Sequence, residues 1–167
     1  HCVTRRQRQM CIRDSFTAVY FIGLFEATLQ QKIALAILMP VVASMGGIAG
    51  TQTLIIVTRG IATGKVTSAN IRALINKEVA VSGLNGIVWS LVIGLITYYW
   101  FSDLLLSLII ALAIITNLVV AAFSGAFLPL LLSKLRIDPA LAGGVILTTI
   151  TDVIGFVAFL GLAALFI

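Results

Sequence analysis

The chain has 167 residues, 60% of them hydrophobic and only 10% charged, so polar groups cannot cover its folded surface and lipid must be most of its solvent. Its formal charge of +5 is no nucleic-acid signal, because +3 of it sits in the first fifteen residues, HCVTRRQRQMCIRDS. Both cysteines, Cys2 and Cys11, lie there too, so the body carries neither a disulfide framework nor a thiolate metal set.

The leader, residues 1–15, is polar, does not begin with Met and stops at an apolar run. No short apolar core with a small-residue cleavage site follows it, so it does not read as a signal peptide. It reads as foreign to the rest, a candidate sequencing or assembly artefact, and the chain as a fragment of a longer protein. Phe16–Phe25 is ten apolar residues. That is about 15 Å of helix against a hydrocarbon core of about 30 Å, so it reads as the surviving end of a first span.

Ile33–Val57 is a second span, carrying Pro40 and the polar, glycine-rich stretch ASMGGIAGTQT (Ala43–Thr53). Val79–Tyr99, Leu104–Leu132 and Leu141–Ile167 are each long enough to cross a bilayer. The expected fold is therefore an all-α membrane domain of five spans, the first cut short. Pro40 and Pro129 are expected to kink their helices.

Loop charges orient these spans. RGIATGKVTSANIRALINKE (59–78) holds Arg59, Lys65, Arg72 and Lys77, and the loop over 133–139 holds Lys134 and Arg136. The other side has only Glu26, Lys32 and Asp103. The excess of basic residues places loops 59–78 and 133–139 in the cytoplasm and the carboxyl terminus outside, in a multi-pass protein of the plasma membrane. Glu26 and Asp103 read as solvated helix ends or as a vestibule that attracts cations.

Asp152 is the twelfth residue of the 27-residue apolar run 141–167. Placing a carboxylate at that depth costs about 2.5–3.5 kcal/mol on insertion scales, and intramembrane carboxylates mark ion or proton paths. At helical spacing Gly144, Thr148, Asp152 and Gly155 share a face, with Thr151 beside it. The bland alternative makes Asp152 interhelical glue, bonded to Asn117, Asn85 or a hydroxyl. Asn85 and Asn117 are themselves read as interhelical hydrogen-bond residues before ligands. No Lys or Arg lies at matching depth, which leaves a cation from outside the chain as the natural partner.

Catalysis has little to work with. Ser124 has no His or Lys at depth to activate it, and an intramembrane aspartyl protease needs two carboxylates where the spans offer one. His1, the only histidine, lies in the leader.

In the second span, Gly46 and Gly50 form a GxxxG pair and Ala43 and Gly47 a second small pair, which permit close backbone approach. Thr51, Gln52 and Thr53 can satisfy loosened carbonyls or line an aqueous path.

The segment MPVVASMGGIAGTQT, followed by TRGIATG, resembles the membrane domain of the MgtE family of magnesium channels and transporters. The resemblance continues through FEATL (Phe25–Leu29), GLNG (Gly83–Gly86), NLVVA (Asn117–Ala121) and DPALAGG…TTITDVIGF (Asp138–Phe156), and so covers residues 16–167. It implies a homodimer of five-span protomers with an ion pore on its axis, and no enzyme. It implies Mg2+ as the transported ion, bound by Asp152 with oxygen from Thr148 and Gly144. The runners-up are a non-conducting scaffold and a proton-coupled carrier. The family's cytoplasmic and CBS domains have no counterpart here, and residues 1–15 match no part of it. Ile48 stands where the family usually has Asn, which removes a side-chain oxygen.

Overall fold

The computed structural model describes residues 2–66, 70–135 and 137–166. His1 and Arg136, named above, lie outside the described residues. All regular structure among them is helical: α1 (Cys2–Gly23), α2 (Glu26–Gln31), α3 (Ile33–Ala62), α4 (Ile71–Phe101), α5 (Leu104–Lys134) and α6 (Pro139–Phe166). Helices are the expected solution, since backbone N–H and C=O groups in hydrocarbon must find partners within the segment itself.

Four of these helices, α3, α4, α5 and α6, are long and apolar enough to cross a membrane. The expected first span, Phe16–Phe25, is not among them. The run from Phe16 is fused to the leader in one 22-residue helix, so α1 begins among arginines rather than in apolar sequence. The other spans overrun their expected ends. α3 continues five residues past Val57, and α4 starts eight before Val79, taking Arg72 and Lys77 of the basic loop into its first turns. Pro40 and Pro129 both lie inside continuous helices.

α5 is the central element, packed against α3, α4 and α6; α3 and α6 also pack on each other, and α1 lies along α6. Leu35, Val42, Ile110, Ile114, Phe159 and Leu160 fill the interior where α3, α5 and α6 meet. Lipid is as apolar as these side chains, so their burial gives little net drive, and helices need close approach and internal hydrogen bonds to associate. α4 shows how this is met. Its buried residues are Ser82, Gly86, Ser90, Gly94 and Thr97, a ridge of small side chains one per turn. A methyl group on Gly86 would lie 3.4 Å from the Ile115 Cα, and the Ser107 hydroxyl donates to the Gly94 carbonyl at 2.6 Å. The opposite side of α4, including Leu84, Leu91 and Leu95, is exposed to the bilayer.

At the far end of α4, Tyr98, Tyr99 and Trp100 are exposed, Tyr99 at 89%. Aromatic rings of this kind settle at headgroup level. The turn that follows is made by Ser102 in the left-handed region (φ 50°), and Asp103 caps α5 by accepting from the Leu106 backbone N–H at 3.2 Å. Asp103 also pairs with Lys32 at the α2–α3 junction. Asp103, read as a solvated end or part of a vestibule, is thus engaged and closes α3 onto the α4–α5 turn, while Glu26 stays exposed and accepts from Gln30.

The hydrogen bond from Lys32, and after it the one from Leu106, hold the Asp103 carboxyl below the ordinary carboxylate pKa. A lowered carboxylate contributes stability that is complete above its unfolded value of about 3.9 and is lost as pH falls through the folded value. Thermal unfolding in detergent should therefore show the wild type losing stability below about pH 4, with Asp103→Asn losing less. At neutral pH Asp103→Asn, which can still cap, should cost at most about 1 kcal/mol, because the pair is partly exposed. Asp103→Ala loses the cap as well and should cost about 1–2 kcal/mol.

Candidate functional site

α3 presents two neighbouring faces. Val42, Gly46, Gly50, Thr53, Leu54 and Val57 are buried against α5 and α6. The adjacent face, with Pro40, Ala43, Ser44, Gly47, Ile48, Thr51, Gln52 and Ile55, forms one wall of an open groove; Thr148 and Asp152 of α6 form the other. The groove has a volume of about 670 Å³.

Asp152 is half-buried, and its carboxylate makes no hydrogen bond or ion pair among the described residues. Asp14 of α1 is near enough for like-charge repulsion, which supplies no compensation. The hydroxyls around it are differently placed. Thr148 donates to the Gly144 carbonyl at 2.9 Å, Thr51 to the Gly47 carbonyl at 2.7 Å, and Ser44 to the Val41 carbonyl at 3.1 Å. With their protons engaged, these oxygens have only lone pairs to turn toward the groove. Such a lining suits a cation or its water. No group of three His, Cys, Asp or Glu side chains converges among the described residues.

Of the residues singled out from sequence, Asp152, Thr148, Gly47, Thr51 and Gln52 come together in this groove. Gly144 does not line it, although its carbonyl is held by Thr148. Thr151 is fully buried, its hydroxyl donating to the Thr148 carbonyl at 3.0 Å. Gly155 is also buried and leaves the shared face, because the buried side of α6 runs Gly143, Leu147, Thr151, Gly155 at four-residue steps. Asn85 is exposed on α4, away from the groove. Gly46 and Gly50 make close contacts within the chain: a methyl on Gly46 would lie 2.3 Å from the Asn117 Nδ2, and one on Gly50 3.1 Å from Leu147. Asn117 is buried and donates to the Val42 carbonyl at 2.8 Å. Thr53 turns inward, its hydroxyl 3.4 Å from the Glu78 carboxylate.

One feature went unread in the sequence. At Gly125 the α5 and α3 backbones meet, with the missing methyl 2.5 Å from the Gly50 carbonyl oxygen. Ile48, noted above for the side-chain oxygen it lacks, is 61% exposed on the groove wall.

A bundle of four apolar helices long enough to cross a bilayer, one of them carrying a carboxylate that opens onto a groove, is the architecture of a multi-span membrane protein. Residues 39–162 match the MgtE family, described as a divalent cation transporter. The magnesium transporter MgtE of Bacillus subtilis is 36% identical over 146 residues, covering 87% of this chain and 32% of that protein. The magnesium transporter MgtE of Thermus thermophilus is 33% identical over 142 residues, 84% of this chain and 31% of its own length. That of Enterococcus faecalis is 30% identical over 145 residues, 87% and 32%. The chain belongs to the MgtE family, a family of transporters and not of enzymes. It spans about a third of the length of these relatives.

The two kinds of glycine on α3 and α5 should respond oppositely to a methyl group. Gly125→Ala meets backbone and should destabilise the folded domain by about 1–3 kcal/mol. Gly47→Ala meets nothing within 4 Å and should leave stability unchanged or raise it by up to about 1 kcal/mol through helix propensity. Unfolding midpoints of both variants in one detergent check the contrast.

Proposed function

We propose that the α3–α6 groove is one half of an ion path, completed by a second copy of the chain, through which Mg2+ moves into the cytoplasm. The observation that carries this reading is Asp152: a carboxylate within a membrane-spanning helix, facing an open groove, with no cation supplied by the described residues. One such charge balances a dication poorly, whereas two Asp152 carboxylates from paired chains supply −2 against +2. Mg2+ prefers hard oxygen ligands and gives up its waters reluctantly, so the pair holds it through water. Thr148, the Gly144 carbonyl it braces, and Thr51 then act on the ion's hydration shell.

In this reading the basic ends of α3, α4 and α5 lie in the cytoplasm, and Lys32, Asp103 and the α6 carboxyl end lie outside. α1 from Phe16 belongs to the transport domain as the remainder of a first span, while residues 1–15 take no part in transport. The role of Asp152 as interhelical glue loses support because its carboxylate accepts no hydrogen bond among the described residues, while the Asn117 amide donates to the Val42 carbonyl instead.

At a separation of about 5 Å, a unit charge and a dication interact by about 2–7 kcal/mol across effective dielectrics of 80 to 20. Asp152→Asn should therefore lower Mg2+ influx into liposomes by at least about tenfold while the protein remains folded. A chain lacking residues 1–15 should conduct like the original. Undiminished influx through Asp152→Asn rules the reading out.

A further inference from the structure

The wall opposite Asp152 rests on the residues behind it. Ala43 and Gly47 follow directly on Val42 and Gly46 in α3, and both Val42 and Gly46 meet Asn117 of α5. Its amide nitrogen donates to the Val42 carbonyl at 2.8 Å, and the side chain is 1% exposed. The same nitrogen lies 2.3 Å from where a Gly46 Cβ would be and 2.7 Å from where a Gly155 Cβ would be. One amide is therefore seated between glycines of two different helices. Those helices are the two walls of the groove, and Gly155 is less than a turn from Asp152, about 4.5 Å along the axis.

We propose that Asn117 is a positioning residue for the ion path: wedged between Gly46 and Gly155 and bonded to Val42, it sets the spacing of α3 and α6 and so the distance from Asp152 to the opposite wall. The proposal rests on the ion-path reading given above. A simple packing role does not need a hydrogen-bonding residue here. A valine could occupy the site in hydrocarbon without leaving a buried Oδ1 that has no partner among the described residues. What the amide adds is a directional bond to a single carbonyl, which fixes the rotation and height of α3 as well as its distance. Mg2+ demands near-ideal octahedral geometry, so a small change in wall spacing acts on ion affinity before it acts on folding.

The test uses the intact chain in liposomes, with Mg2+ itself as the probe, and reads two quantities: the Mg2+ concentration giving half-maximal influx and the unfolding midpoint in detergent. Asn117→Val removes the bond without adding bulk at the amide's tip; it should hold the midpoint close to wild type and raise the half-maximal concentration several-fold. Gly46→Ala alone should lower the midpoint, because its methyl meets the amide. Gly46→Ala combined with Asn117→Ala should recover the midpoint, since the methyl occupies vacated space, yet keep the raised half-maximal concentration. An unchanged half-maximal concentration in Asn117→Val, or one that follows the midpoint across all these variants, overturns the positioning role. Asp152→Asn in the same assay separates the two proposals. If it abolishes influx while the Asn117 variants behave as wild type, only the positioning role falls; if it leaves influx intact, both fall.

Discussion

Lipid gives apolar helices no reason to leave it for one another, and this domain is arranged around that constraint. Its helices associate where side chains are small enough for backbones to meet: Ser82, Gly86, Ser90 and Gly94 of α4 against α5, and Gly46, Gly50 and Gly125 between α3 and α5. Few polar bonds are added at these contacts, and each is directed at a particular carbonyl. Ser107 reaches Gly94, and Asn117 reaches Val42. α5 makes contacts of this kind on three sides, and the positions of α3, α4 and α6 follow from it.

The groove is a consequence of the same geometry. Because α3 turns its glycine-bearing face toward α5, its neighbouring face is left open beside α6, with Gly47 looking into free space. Asp152 is next to the fully buried Thr151, so the carboxylate comes out at the edge of the α6 interface rather than within it. An isolated carboxylate at that depth is an unfavourable arrangement, and the described residues offer it no internal cation. The hydroxyls of Ser44, Thr51 and Thr148, each bonded to a carbonyl of its own helix, add acceptors and no positive charge.

Much of this could be read from residues alone. Long apolar runs, six basic residues on one side and a single mid-span carboxylate mark the spans and the residue of interest. Helical spacing also joins Thr148 to Asp152. What spacing could not show was where one face ends and the next begins. Gly155 and Gly144 fall on the Asp152 side of a helical wheel, yet Gly155 is buried beside the Asn117 amide and Gly144 stands outside the groove. The start of the domain is the hardest part to read, because a polar leader and an apolar run, separate in composition, can still propagate one helix. Gly125 gave no sequence signal, since a lone glycine in an apolar helix looks the same whether it meets a backbone or lipid.

The central claim is that Asp152 is half of a site whose other half is a second copy of the chain. The most direct measurement is the stoichiometry of divalent binding to the purified, membrane-extracted protein, with Mn2+ as a paramagnetic stand-in for Mg2+ read by electron paramagnetic resonance. The account predicts one tightly held ion for every two chains, surrounded largely by water, and its disappearance in Asp152→Asn. One ion per chain, or binding that survives in Asp152→Asn, would contradict it.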